Sequence, residues 1–257
     1  MNILVTGAAG FIGYHTSDLL IKSGYKVCGI DSYNSYYSVN LKKLRIKELN
    51  KFGKKKFKFI KNDLSSEKFI LKFLIKNKIN IIIHLAAQAG VRHSLKKPMD
   101  YVKNNIVATT NLMEATRKYK KIKHFLLAST SSVYASSIKM PFNENDPADF
   151  PLQFYAATKR STELMAHSYS HLYKIPFTIL RFFTVYGPFG RPDMALFKFT
   201  KNIFNNKKID IYNYGKHVRD FTYVSDIALS IKKLLKKVPI KNENYKLDKK
   251  ISFNSNA

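Results

Sequence analysis

Apolar and polar positions along the chain alternate between two kinds of run. Short stretches that are almost wholly apolar, at 3–6, 26–30, 57–60, 79–85, 124–129 and 177–181, predict strands. Between them lie stretches with helical spacing, at 11–22, 41–49, 67–75, 104–119 and 153–173. The run over 79–85 has no polar alternation, as expected of a strand covered on both faces. Repeated strand–helix units imply an α/β fold, a doubly wound parallel sheet of Rossmann type. After 181 the texture changes, and Gly187, Pro188, Gly190 and Pro192 mark loops. Residues 1–181 are thus expected to form one dinucleotide-binding domain. Residues 182–257 would form a small substrate-covering region whose helix near 225–237 packs back on the first. The tail over 240–257 is polar and predicts no element.

Bulk composition narrows the class. A chain of 257 residues with 45% hydrophobic residues suits one large α/β domain. The single cysteine, Cys28, excludes an intrachain disulfide and fits a reducing, cytoplasmic setting. No apolar run approaches a membrane span of about 18–20 residues. The apolar start leads straight into a glycine loop, so it reads as a first strand and not as a signal peptide. The formal net charge of +28 would attract anions, nucleic acids included. The run from Lys54 to Lys61 superficially resembles an RNA-binding patch. Because the lysines are spread along the whole chain, they are expected to solvate the surface, with no specific nucleic-acid partner.

The first motif that carries chemistry is Gly7-Ala8-Ala9-Gly10-Phe11-Ile12-Gly13, between the first strand and the first helix. Glycines there permit a tight turn and let backbone approach a pyrophosphate, while the helix start offers free N–H groups. Asp31 ends the second strand, placed to accept hydrogen bonds from ribose hydroxyls and to repel a 2′-phosphate. NAD is therefore expected over NADP. The competing reading is a structural turn with a capping Asp. Tyr155 and Lys159 are four apart on one helix face. A nearby ammonium would lower a phenol's pKa and make a general base of it, although such pairs also occur on solvated helix faces. The hydroxyl-rich Ser129-Thr130-Ser131-Ser132 lies at the end of the fifth strand, where open α/β sheets bind ligands. Hydroxyls there can instead bond their own backbone.

These motifs, with Asn62-Asp63-Leu64, His84-Leu85-Ala86-Ala87 and Asn104-Asn105 in the same order, resemble the extended short-chain dehydrogenase/reductases, the NAD-dependent epimerase/dehydratase family. The resemblance spans nearly the whole chain. It implies that Tyr155, Lys159 and Thr130 are catalytic. It implies that Gly7, Gly10, Phe11, Ile12, Gly13, Asp31, Asp63, Leu64, Ala86, Ala87 and Asn105 serve the cofactor, together with Tyr155 and Lys159. The family motif continues with Gly where this chain has Ala135. Relatives that dehydrate or decarboxylate sugars carry acids where Ser131 and Ser132 stand here, so simple epimerisation is the implied chemistry.

Three further stretches are similar to the UDP-glucuronate 4-epimerase branch of that family. They are 31–41, Gln88-Ala89-Gly90-Val91-Arg92, and the run from Arg181 to Ala195. This similarity implies a UDP-sugar substrate held by Arg92, Ser131, Ser132, Thr184, Arg191 and Arg219. Thr184 and Arg191 would hold the sugar carboxylate, and Arg219 the diphosphate. A guanidinium suits a carboxylate fork, though a loop arginine can equally serve a surface salt bridge. Asp226 is expected to be structural. A homodimer is implied. Relatives continue further at the C-terminus, so an incomplete substrate lobe is expected, with retained NAD binding and feeble turnover. The alternatives are a 4-epimerase of neutral UDP-sugars and a weakly active NAD-binding module.

Overall fold

A computed structural model describes residues 1–134, 137, 139–211, 213–216 and 218–240. Ala135 and nearly all of the polar tail lie outside the described residues. The elements run β1 (Asn2–Thr6), α1 (Phe11–Lys22), β2 (Lys26–Asp31), α2 (Val39–Asn50), β3 (Phe57–Lys61), α3 (Glu67–Lys76) and β4 (Ile81–His84). Two short helices follow, α4 (Val91–Lys96) and α5 (Pro98–Tyr101), then a π-helical segment, Val102–Val107, that leads into α6 (Ala108–Tyr119). Next come β5 (His124–Thr130), a 3-10 turn (Ser131–Tyr134), α7 (Phe154–Tyr173), β6 (Phe177–Phe182), β7 (Thr184–Tyr186), α8 (Ala195–Phe204), β8 (Phe221–Tyr223) and α9 (Val224–Leu234).

Six parallel strands form one sheet in the order β3-β2-β1-β4-β5-β6. Successive side chains of a strand point to opposite faces, so each central strand feeds two cores. On one face Leu4, Ile82, Phe125 and Leu127 pack with Ile70, Phe73 and Leu74 of α3 and with Leu112 and Met113 of α6. On the other, Ile3, Val5, Ile81, Ile83 and Leu126 pack with Leu20 and Ile21 of α1, Ile46 and Leu49 of α2, and Ile227 and Ile231 of α9. The last helix among the described residues, α9, thus completes the core around the first strand. The strand order reverses between β1 and β4, which opens a crevice beyond the carboxyl ends of the strands.

The region after β6 holds more than loops. β7 and β8 pair in parallel as a second, two-stranded sheet, and α8 stands between them in sequence. The long helix expected over 104–119 starts as a π-helix, with Asn105 fully buried in it. No helix among the described residues is long and apolar enough to cross a membrane.

Candidate active site

The crevice is a cavity of about 590 Å³ that runs from the glycine loop to α8. At its cofactor end, Gly7 has φ +71°, and a Cβ on it would lie 2.8 Å from the Ala86 nitrogen. A Cβ on Gly13 would lie 2.1 Å from the Gly7 carbonyl oxygen, so α1 can approach the loop only as glycine. Gly10 caps α1 without a side-chain hydrogen bond, which leaves the first amides of the helix to a ligand. The Asp31 carboxylate accepts from the Ala9 and Tyr33 backbone N–H groups at 3.1 and 2.8 Å. Burial raises its pKa, and the backbone hydrogen bonds and the cations Lys42 and Arg45 work against that rise. Asp63, Leu64, Ala86 and Ala87 also line the cavity. The Asp63 carboxylate accepts from Ser65 Oγ and N–H, which hold its pKa low. A backbone cradle that no Cβ could enter, next to a carboxylate at the end of β2, fits a dinucleotide with a free ribose diol.

Across the cavity stand Thr130, Tyr155 and Lys159. Thr130 ends β5, and Tyr155 lies in the first turn of α7, its backbone N–H bonded to Ser94 Oγ at 3.3 Å. The Thr130 hydroxyl donates to Ser132 Oγ at 3.2 Å and helps to oppose the rise of the Tyr155 phenol pKa. Ser131 and Ser132 line the cavity beside them, and the Ser132 N–H donates to Thr130 Oγ1 at 3.2 Å. Lys159 lies one turn along α7 and is buried. Burial pushes its pKa down to about 8, against the pull of Glu163. Glu163, one further turn on, accepts from Ser129 Oγ and is paired with Arg160 and Arg181. That buried carboxylate pins α7 to β5 and β6.

At the far end, Thr184 of β7, Arg92 of α4 and Arg191 line the same cavity. The Arg191 guanidinium is paired bidentately with Asp193, Nε to Oδ1 at 3.0 Å and Nη2 to Oδ2 at 2.5 Å.

The family model of the NAD dependent epimerase/dehydratase family matches residues 3–247. The chain belongs to that family. Among relatives, Protein CapI of Staphylococcus aureus is 51% identical over 245 residues, 95% of this chain and 72% of that protein. A probable UDP-glucuronate 4-epimerase of Rhizobium meliloti is 49% identical over 244 residues, 95% of this chain and 70% of that protein. Among solved structures, UDP-glucuronic acid 4-epimerase from Bacillus cereus, in complex with UDP-glucuronic acid and NAD, superposes with a TM-score of 0.85 at 40% identity. The match covers 92% of this chain and 73% of that one.

In this member of the epimerase/dehydratase family, two of the residues expected in the site, Asn105 and Arg219, are not among those lining the cavity. Lys159 lines the cavity together with Tyr155. Burial raises the phenol pKa, and the groups that oppose the rise are Arg191 and Thr130. Asn105 does not face the cavity; its neighbour Asn104 does. The Asn105 amide is spent on Gln88 N–H and C=O and on Thr158 Oγ1, at 2.7, 3.1 and 3.0 Å, so it fastens the wall behind the cofactor groove to α7. Arg219 is exposed just before β8 and donates to the Val218 carbonyl.

Tyr36, Lys42, Arg45 and Asp193 were not singled out one by one in the sequence. Buried Arg45 donates to the Ala9, Phe189 and Gly190 carbonyls and to the Tyr37 hydroxyl, joining the glycine loop to the loop before Arg191. The only prior signal was a basic residue on the inward face of an otherwise amphipathic helix.

Proposed function

We propose that this chain catalyses the NAD-dependent 4-epimerisation of UDP-glucuronate to UDP-galacturonate. One observation carries the reading: a guanidinium, Arg191, lies in the same cavity as the Thr130–Tyr155 pair and close enough to act electrostatically on that phenol. The carboxylate of a glucuronate sits on the ring carbon next to C4, so a carboxylate grip and a proton-transfer group at the C4 hydroxyl belong side by side. The names of the Rhizobium and Bacillus relatives support the same substrate.

The residues divide the work. NAD, when bound, supplies reversible hydride acceptance at the sugar C4 carbon. Gly7, Gly10 and Gly13 with the start of α1 hold its pyrophosphate, Asp31 its adenosine ribose, and Lys159 its nicotinamide ribose. Asp63, Leu64, Ala86 and Ala87 form the groove walls. Tyr155 takes the C4 hydroxyl proton and later returns it, with the Thr130 hydroxyl holding the oxygen in line. Ser131, Ser132 and Arg92 flank the sugar, and Thr184 and Arg191 hold the carboxylate. The oxidised sugar is a β-keto acid, and a fixed carboxylate is kept out of the alignment that releases carbon dioxide.

Residues 1–181 form the cofactor part and share the sugar site with the segment after 181, whose helix α9 packs back on the main sheet. The working unit is a homodimer, supported by Leu164 and Leu172, apolar side chains exposed on α7. Buried Cys28, the one cysteine, suits a reducing cytoplasm. The test is incubation with NAD and either UDP-glucuronate or UDP-glucose, reading product sugar and carbon dioxide. UDP-galacturonate as the main product supports the reading. Preferential turnover of UDP-glucose, or carbon dioxide as the main product, would overturn it.

A further inference from the structure

A guanidinium has two edges that match a carboxylate: a side edge, Nε with Nη2, and an end edge, Nη1 with Nη2. Asp193 takes the side edge of Arg191, through Nε and Nη2. Asp193 is itself held, because the Tyr36 hydroxyl donates to its Oδ2 at 3.1 Å. The Tyr36 ring also lies against the guanidinium, its centroid 5.9 Å from the Arg191 Cζ. Tyr36 reaches this place only because residue 90 is glycine. A Cβ there would stand 2.2 Å from the Tyr36 hydroxyl oxygen, and the backbone has φ +106°. Beside it, Arg45 donates to the Tyr37 hydroxyl and to the Phe189 carbonyl, which fixes the chain just before Arg191. Tyr36 in the loop after β2 and Arg45 of α2 thus brace segment 189–193 at two points.

We infer that Asp193 and Tyr36 are positioning residues for carboxylate selection. They hold the side edge of Arg191 so that its end edge is presented to the sugar carboxylate. The inference rests on the proposed role of Arg191 in UDP-glucuronate epimerisation. A long arginine side chain left to itself loses rotamer freedom when a ligand fixes it, and a brace made in advance removes that cost from the binding step. The brace is also selective. A neutral sugar makes no use of the end edge, so the placement of Arg191 affects it little.

Asp193→Asn keeps the size but loses the charge and the bidentate match. With NAD-loaded protein, calorimetry is expected to show UDP-glucuronate weakened about tenfold and UDP-glucose less than twofold, on the scale of one charged hydrogen bond. KM for UDP-glucuronate rises while kcat changes little. Tyr36→Phe, which keeps the ring, shifts the same ratio in the same direction and serves as the second variant if Asp193→Asn folds poorly. In an Arg191→Ala background, Asp193→Asn has no further effect on the ratio, as a double-mutant cycle requires of a residue acting through another. The inference is overturned if Asp193→Asn weakens both sugars equally, if UDP-glucuronate binds unchanged or tighter, or if the effect persists without Arg191. A distinct result is that Arg191→Ala itself leaves the ratio unchanged. In that case the functional reading falls, and the brace falls with it.

Discussion

Burial raises the Tyr155 phenol above its ordinary range, and the positive charge opposing that rise is Arg191, on a loop. The spacing of Tyr155 and Lys159 pointed to a phenol and an ammonium on one helix face, and both do line the cavity. Spacing could not show that burial pushes the lysine down to about 8, nor that the charge of a loop residue near 190 acts on the phenol. Tyr155→Phe should therefore abolish epimerisation, a loss of about 10²-fold or more, while NAD binding changes little, because the ring supplies the packing and the oxygen the proton. Near-normal turnover in that variant would remove Tyr155 from the chemistry. Arg191→Ala should act twice. It should weaken UDP-glucuronate by about 1.5–3 kcal/mol while leaving UDP-glucose nearly unchanged. It should also move the acid limb of the kcat profile to higher pH, because losing the guanidinium lets the phenol pKa climb further. An acid limb that stays in place, measured at saturating UDP-glucuronate, would show that the charge of Arg191 does not reach the proton transfer.

Elements were legible where one face or both faces of a strand or helix repeat without interruption. The six core strands and α1, α2, α3, α6, α7 and α9 all satisfy that condition, since each feeds one of the two large cores. β7 and β8 do not. Each has three residues, too few for an apolar period to show, although Val185 of β7 packs partly buried against one core. α8 does carry apolar residues at helical spacing, Leu196, Phe199 and Ile203, but the glycines and prolines just before it obscure the start. The π-helical start of α6 was not legible either, because one extra residue per turn leaves the apolar period almost unchanged. What fixes that turn is Asn105, whose amide serves Gln88 and Thr158. Asn105→Ala should cost about 2–4 kcal/mol, since it strands buried polar groups on two elements. Urea unfolding that finds less than about 0.5 kcal/mol would mean that water replaces the amide. β4 and α6 meet in a second buried link, in which His84 bridges Thr6 Oγ1 and Thr109 Oγ1 at 2.7 and 2.9 Å. Burial, with Lys159 nearby, pushes His84 down from 6.5 to about 3. The unfolded chain then binds a proton that the native state refuses. The contribution of this group is complete above pH 6.5 and is lost as pH falls toward 3. The expected slope is up to one proton, about 1.4 kcal/mol per pH unit. His84→Gln should flatten the stability profile between pH 6 and 4 by that amount, and an unchanged slope would assign acid sensitivity elsewhere.

At the scale of the whole molecule, the cofactor groove joins parts of the chain that are far apart in sequence. The glycine loop, β2, the segment after β4 and α7 all contribute to it, so a ligand in the groove cross-links elements that otherwise meet only through the sheet. The glycine loop, Asp31 and the Tyr155–Lys159 pair could be read from local sequence because each lies on one short segment. The brace around Arg191 could not, because Tyr36 and Asp193 are 157 residues apart and only the folded chain brings them together. Anything that binds the native state alone stabilises it by mass action, about 2.7 kcal/mol at a hundredfold excess over Kd. For a domain of this size that is an upward shift in Tm on the order of 5–10 °C. The shift should discriminate between cofactors. The Asp31 carboxylate accepts two backbone hydrogen bonds and is held at the end of β2, so it cannot easily swing away from a 2′-phosphate. Lys42 and Arg45 carry positive charge nearby, but both are already committed. Lys42 donates to the Asn34 carbonyl and side chain at 2.7 and 2.6 Å, and Arg45 to backbone carbonyls and Tyr37. To recruit them, a phosphate would have to break these bonds as well as face Asp31. NAD should therefore raise Tm well above NADP at equal concentration, and Asp31→Asn should narrow the gap by improving NADP and impairing NAD. Scanning calorimetry with both cofactors decides it. An equal or larger shift with NADP would show that Lys42 and Arg45 are free to receive the phosphate and that Asp31 does not set the preference.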